Sequence, residues 1–239
     1  MIHFRKKILA AGLASAMMLS LGACGTSGDT DETQSQTAGQ AAEGETAASG
    51  DGKILIAYFT AAENSGVDAV SSASYSMVNG EAVGRLQAIA EMIQENTGGD
   101  LFSIRTSVVY PAGGRELIDY AAEEQDENAR PELTSQIENL DQFDTIFVGY
   151  PNWWADMPMV MYSFLEEYDF SGKTIIPFNV HNGSRFSGTI ETIQELEPDA
   201  EVVEDGFTIN ERDVPDAAGD VADWIEEIGY PCIWASTGT

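Results

Sequence analysis

The sequence predicts an α/β domain: an open parallel sheet with helices on both faces. Two observations carry this. Five short apolar runs, rich in β-branched and aromatic residues, recur from Lys53 onward, and between them lie longer stretches with helical apolar spacing. Strands buried on both faces read as near-continuous apolar runs, as these do, whereas strands of a one-sided sheet alternate. The chain of 239 residues is 43% hydrophobic, enough to fill a core.

The elements follow in order. Lys53–Phe59, KILIAYF, is the first strand. Residues 61–79 show little periodicity and read as a long insertion, of the kind that is often functional. Glu81–Thr97 carries Val83, Leu86, Ile89, Ala90 and Ile93 at the spacing of an amphipathic helix, which Gly98-Gly99 ends. Leu101–Arg105 is the second strand, and residues 113–139 contain helical stretches interrupted at Pro131. Thr145–Tyr150, TIFVGY, is the third strand, stopping at Pro151, and Met157–Tyr168 is a helix. Lys173–Val180 is the fourth strand, Phe186–Leu196 a helix, Ala200–Phe207 the fifth strand and Ala217–Ile228 the closing helix. Right-handed crossovers leave few topologies for such a chain. Ligands of open α/β sheets bind beyond the carboxyl ends of the strands. The loops at 60–80, 150–156 and 181–186 are therefore expected to decide function.

The N-terminus reads as an export signal. Arg5, Lys6 and Lys7 precede an apolar stretch, Ile8–Leu19, too short to span a bilayer comfortably. Leu21-Gly22-Ala23-Cys24 follows and resembles the lipobox of bacterial lipoproteins, which implies cleavage before Cys24 and lipid on its thiol. The expected organisation is a signal peptide over 1–23, the lipidated Cys24 with a disordered tether over 24–52, the domain over 53–230 and a tail over 231–239. The tether has no aromatic or large aliphatic residue, so nothing offsets its ordering entropy, and it would span about 30 Å. The domain is thus expected outside the cytoplasmic membrane, held to it by a lipid anchor.

Composition excludes other classes. The chain has 11 Lys+Arg against 40 Asp+Glu, a net charge of −29, so it lacks the basic face that nucleic acid requires. Two Cys (Cys24 and Cys232) and two His (His3 and His181) cannot make a Cys/His zinc site, and no G-x-S-x-G elbow accompanies His181.

The segments ILIAYFT, ENTGGDLFSI, FDTIFVGYPNWW-x-x-x-P and FLEEYDFSGKTIIPF, with the HNGS loop, resemble the flavodoxin-like proteins, especially a branch found in lipoproteins of anaerobic Gram-positive bacteria. The resemblance covers about Lys53 to Tyr230. It implies a doubly wound five-stranded sheet of order 2-1-3-4-5 and non-covalent binding of flavin mononucleotide, FMN. The function it implies is electron transfer with a redox partner the sequence does not reveal, or reduction of quinones and similar acceptors, with no side chain acting as acid, base or nucleophile. A flavodoxin fold with an altered phosphate loop serving only as a binding or scaffold module is the alternative.

Family phosphate loops place hydroxyls and backbone amides directly before a helix. Here Thr60 keeps the first hydroxyl, Ala61-Ala62-Glu63 follow, and Asn64 and Ser65 complete a thinned set. Relatives with insertions often resume with Gly-Asn-Thr at the helix start, where this chain has Gly84-Arg85-Leu86. Arg85 is a candidate phosphate contact, or else pairs with Glu81 one turn away. After the third strand, Pro151, Asn152, Trp153 and Trp154 are candidates for the flavin ring, because aromatic rings stack on a flat apolar one. The other reading makes one Trp core and the other a surface cover for the following helix. After the fourth strand, His181, Asn182, Gly183 and Ser184 are candidates for the polar side of the ring, and His181 alone equally fits a structural hydrogen bond at a strand end.

Overall fold

A computed structural model describes residues 53–65, 75–111 and 114–230. The expected signal peptide, Cys24, the tether, residues 66–74 of the insertion and the C-terminal tail lie outside the described residues. The elements are β1 (Lys53–Tyr58), a short helix α1 (Ala61–Ser65), β2 (Tyr75–Val78), β3 (Glu81–Gly84), α2 (Arg85–Thr97), β4 (Asp100–Ser103) and α3 (Gly114–Asp126). There follow β5 (Phe143–Pro151), α4 (Met159–Glu167), β6 (Thr174–His181), α5 (Thr189–Leu196), β7 (Glu201–Val202), β8 (Phe207–Asn210) and α6 (Ala218–Glu227).

The main sheet is parallel and runs β4-β1-β5-β6, with β7 and β8 both paired to the far side of β6. Counting β7 and β8 as one interrupted strand, this is the 2-1-3-4-5 order. Side chains alternate between two cores, as the period of two in a strand requires. From β5, Ile146, Val148 and Tyr150 pack in the core that takes Val160 and Phe164 of α4 and Leu117 of α3. Phe147 points the other way, into the core that takes Ile89 and Ile93 of α2 and Val221 and Ile225 of α6.

Three expectations are corrected. The fifth strand does not run unbroken over 200–207; it splits into β7 and β8. Val203 N–H donates to Ile175 O, so Ile175 and, two residues on, Pro177 face this strand. Pro177 has no N–H to give, and the strand breaks opposite it.

The helix expected from Glu81 begins only at Arg85, because Glu81–Gly84 is a strand paired antiparallel with Tyr75–Val78. The turn between them is Asn79-Gly80, with φ of +52° and +87°. Both positive angles mark the two-residue hairpin turn that Asn-Gly favours. The chain after Asp126 is not helical up to 139; its backbone instead pairs at Leu133 with Thr106.

Candidate functional site

The carboxyl ends of β1, β5 and β6 deliver three loops to one edge of the sheet. The first begins at Thr60, which is fully buried. Asn64 Nδ2 donates to Thr60 O at 3.0 Å, and Thr106 N–H donates to Asn64 Oδ1 at 3.0 Å. Both ends of the Asn64 carboxamide therefore hold backbone. Glu63 accepts from Tyr58 Oη at 3.0 Å and from Ser103 Oγ, which pins α1 across the ends of β1 and β4. The side chain of Ser65 lies outside the description.

The β2–β3 hairpin then returns the chain to Thr60. Gly84 packs on it so closely that a Cβ there would stand 2.9 Å from Thr60 Oγ1. Gly84 is also the residue that precedes α2, and the first turn of α2 holds no acidic side chain. The positive end of a helix dipole thus opens beside the end of β1. Arg85, the first residue of α2, donates through Nε to Ser76 Oγ at 3.2 Å and through Nη1 to Glu211 Oε2 at 3.0 Å. Among the described residues its ion pair is with Glu211 and not with Glu81.

The second loop separates the two tryptophans. Trp153 is buried, edge-on to Phe59 at 5.9 Å and to Tyr110 at 5.6 Å between ring centres, and its Nε1 has no partner among the described residues. Trp154 is 56% exposed, and its Nε1 donates to Ile118 O of α3 at 2.9 Å. One is core and the other surface, but the surface one lies on the preceding helix and not on the following one. Trp154 and Ala155 hold φ of +52° and +63°, a backbone region that costs a non-glycine residue about 1–3 kcal/mol. Pro151 closes β5, and Asn152 N–H donates to Val180 O at 3.0 Å. Asn152 Oδ1 is a buried acceptor without a partner among the described residues.

The third loop carries more positive φ angles: Gly183 at +108°, Arg185 at +55° and Ser187 at +56°. Its hold is a shared carbonyl. Arg185 O accepts from Asn152 Nδ2 at 2.8 Å and from Asn179 Nδ2 at 2.9 Å, while Thr208 Oγ1 donates to Asn179 Oδ1 at 2.6 Å. His181 is buried, and its Nδ1 accepts from Gly183 N–H at 2.8 Å. Burial first, then the Arg185 guanidinium, hold its pKa below the usual value, against Asp213 and Glu211. The ring is neutral at neutral pH with the proton assigned to Nε2. The structural role for His181 is the one observed. Asn182 and Ser184 are exposed on either side of Gly183.

The structure thus brings Thr60, Arg85, Asn152 and His181 to the ends of neighbouring elements on one edge. Reading the residues missed Asn179, Thr208, Glu211 and Ser76. A polar Asn179 inside the apolar run IIPFNV was a signal for the first; the others needed the fold.

A sequence model of the flavodoxin family, described as Flavodoxin, matches residues 73–228, more than half of the chain. The chain belongs to the flavodoxin family. As a flavodoxin-family member it is similar to two solved structures assigned as flavoproteins. One, from Bacteroides uniformis, is 26% identical, with 73% of this chain and 98% of that one covered and a TM-score of 0.57. The other, from Bacteroides eggerthii, is 25% identical, with 74% and 98% covered and a TM-score of 0.55. A flavoprotein from Lactobacillus acidophilus, solved in complex with FMN, is 17% identical, with 70% and 99% covered and a TM-score of 0.49. No curated protein matches the sequence.

Proposed function

We propose that this flavodoxin-family chain holds FMN non-covalently at the edge formed by its three loops, and that it transfers electrons on the outer side of the membrane, anchored through Cys24. The observation that carries the flavin reading is the meeting of Thr60, Gly84 and the start of α2. The start of α2 offers a phosphate main-chain N–H donors and a dipole that favours an anion. The donors expected from sequence divide. Asn64 shapes the loop through backbone bonds and Thr60 seats Gly84; the α2 N-terminus and Arg85 are the groups we assign to the phosphate.

The ring would take the second and third loops. Trp154 offers an exposed aromatic face, Asn152 an unspent acceptor, and Asn182, Gly183 and Ser184 an exposed polar tip. The strain in both loops suits surfaces set in advance for a ligand. When bound, FMN supplies reversible electron transfer; the protein contributes binding, orientation and the surrounding field. Trp153 supports the ring site from below through Phe59 and Tyr110.

The anchor rests on the Leu21–Cys24 motif. Two or more acyl chains hold stably where one is marginal.

The test is direct. Purified protein should be yellow, with bands near roughly 375 and 450 nm that belong to the flavin itself. Apoprotein titrated with FMN should quench flavin fluorescence to saturation. A colourless protein that leaves FMN fluorescence unchanged would overturn the reading and favour the scaffold alternative.

A further inference from the structure

We infer that Glu211 sets how strongly the phosphate end of this site holds its ligand, by fixing Arg85 in place and offsetting its charge. This rests on the FMN reading above.

Arg85 is locked from two sides. Ser76 of the hairpin accepts from Nε at 3.2 Å, and Glu211 accepts from Nη1 at 3.0 Å. Glu211 is itself fixed, since its N–H donates to His181 O at 2.8 Å, just past the end of β8. The clasp therefore joins the hairpin, the start of α2 and the C-terminal edge of the sheet. Its side chains are only 18% and 16% exposed. Salt screens a pair so shielded less than a surface pair.

The consequence is electrostatic. A phosphate monoester carries close to two negative charges near neutral pH. It would approach a guanidinium that a carboxylate already neutralises, in a chain of net charge −29. The carboxylate costs phosphate affinity, and it also aims the cation. Glu211 acts on the ligand only through Arg85 and through the field, so it is a positioning residue. Its effect should appear for FMN and not for riboflavin, which has the same ring and ribityl chain without the phosphate.

Apoprotein is titrated with FMN and with riboflavin, at low and high salt, in the parent, Glu211→Gln, Arg85→Gln and the double variant. Glu211→Gln keeps an acceptor for Arg85 and removes only the charge. FMN affinity should rise about tenfold, which is ~1.4 kcal/mol, with riboflavin unchanged and most of the gain kept in high salt. Arg85→Gln should lower FMN affinity at least tenfold and spare riboflavin. The double variant, free of an unpaired buried charge, should recover part of that loss even if the single Arg85 variant folds poorly. An FMN affinity unchanged or lower in Glu211→Gln, or equal shifts for both flavins, overturns the inference while leaving the flavin site standing. A parent chain that binds neither flavin overturns both.

Discussion

A Cβ on Gly84 would stand 2.9 Å from the hydroxyl oxygen of Thr60 and 3.1 Å from its methyl carbon. The end of the first strand and the start of α2 are thereby in direct contact, although a hairpin and an insertion separate them in sequence. Gly84 has φ −58° and ψ 138°, angles any residue adopts, so contact and not backbone freedom demands glycine.

Gly84→Ala should therefore destabilise the fold by about 1–3 kcal/mol, the usual cost of overpacking. It should also weaken FMN. Thr60→Ala in the same background removes both crowding atoms, the hydroxyl and the methyl, and should recover part of the stability. Chemical denaturation of the three proteins checks this, and equal midpoints for Gly84→Ala and the parent would contradict it.

The two tryptophans should separate cleanly. Trp153→Ala empties a buried aromatic cluster and should cost about 3–5 kcal/mol. Trp154→Ala should change stability little, since its ring is 56% exposed. It should weaken FMN by about 1–3 kcal/mol, the scale of a lost stacking contact. Thermal melts paired with flavin titrations measure both, and the opposite division of effects would refute the assignment.

Asn179 should matter more to the third loop than to the sheet around it. Asn179→Leu leaves Arg185 O with one of its two amide donors and strands the Thr208 hydroxyl. Lost buried hydrogen bonds of this kind cost about 1–3 kcal/mol. Faster amide exchange confined to residues 181–188 is the expected signature, with sheet protection retained.

Stability should fall as pH rises from about 4.5 to about 7. Burial pushes the Glu124 carboxyl from 4.5 to about 7, a shift that the Tyr110 hydroxyl hydrogen bond opposes. Glu197 is likewise raised to about 7 by burial, then by the nearby Asp169 carboxylate. A raised carboxyl binds its proton more tightly folded than unfolded. Its contribution is therefore whole below about pH 4.5 and is lost as pH climbs through about 7. Glu124→Gln should flatten that part of the stability–pH curve. An unchanged slope in the variant would remove Glu124 as a source.

The alternation of apolar runs with helical periods was sufficient to give the class, and the order 2-1-3-4-5 came with the family resemblance. Both depend on local pattern: strands of a doubly covered sheet must be apolar throughout, wherever they finally lie. Asn79-Gly80 was written in the chain as well, but the helical spacing of Val83, Leu86 and Ile89 ran through the hairpin's second strand and masked where α2 begins. Other features have no local signature. Pro177 breaks a strand some 25 residues later only because parallel pairing sets the two side by side, where its missing N–H leaves a neighbour unbonded. The partner of Arg85 was sought one helical turn away, at Glu81, and stands instead at Glu211, 126 positions on. Adjacent in sequence, Trp153 and Trp154 part into core and surface because positive φ at Trp154 turns the chain. Chemical type and periodicity act over a few residues, whereas contacts between loops exist only after the sheet has assembled and brought its strand ends to one edge.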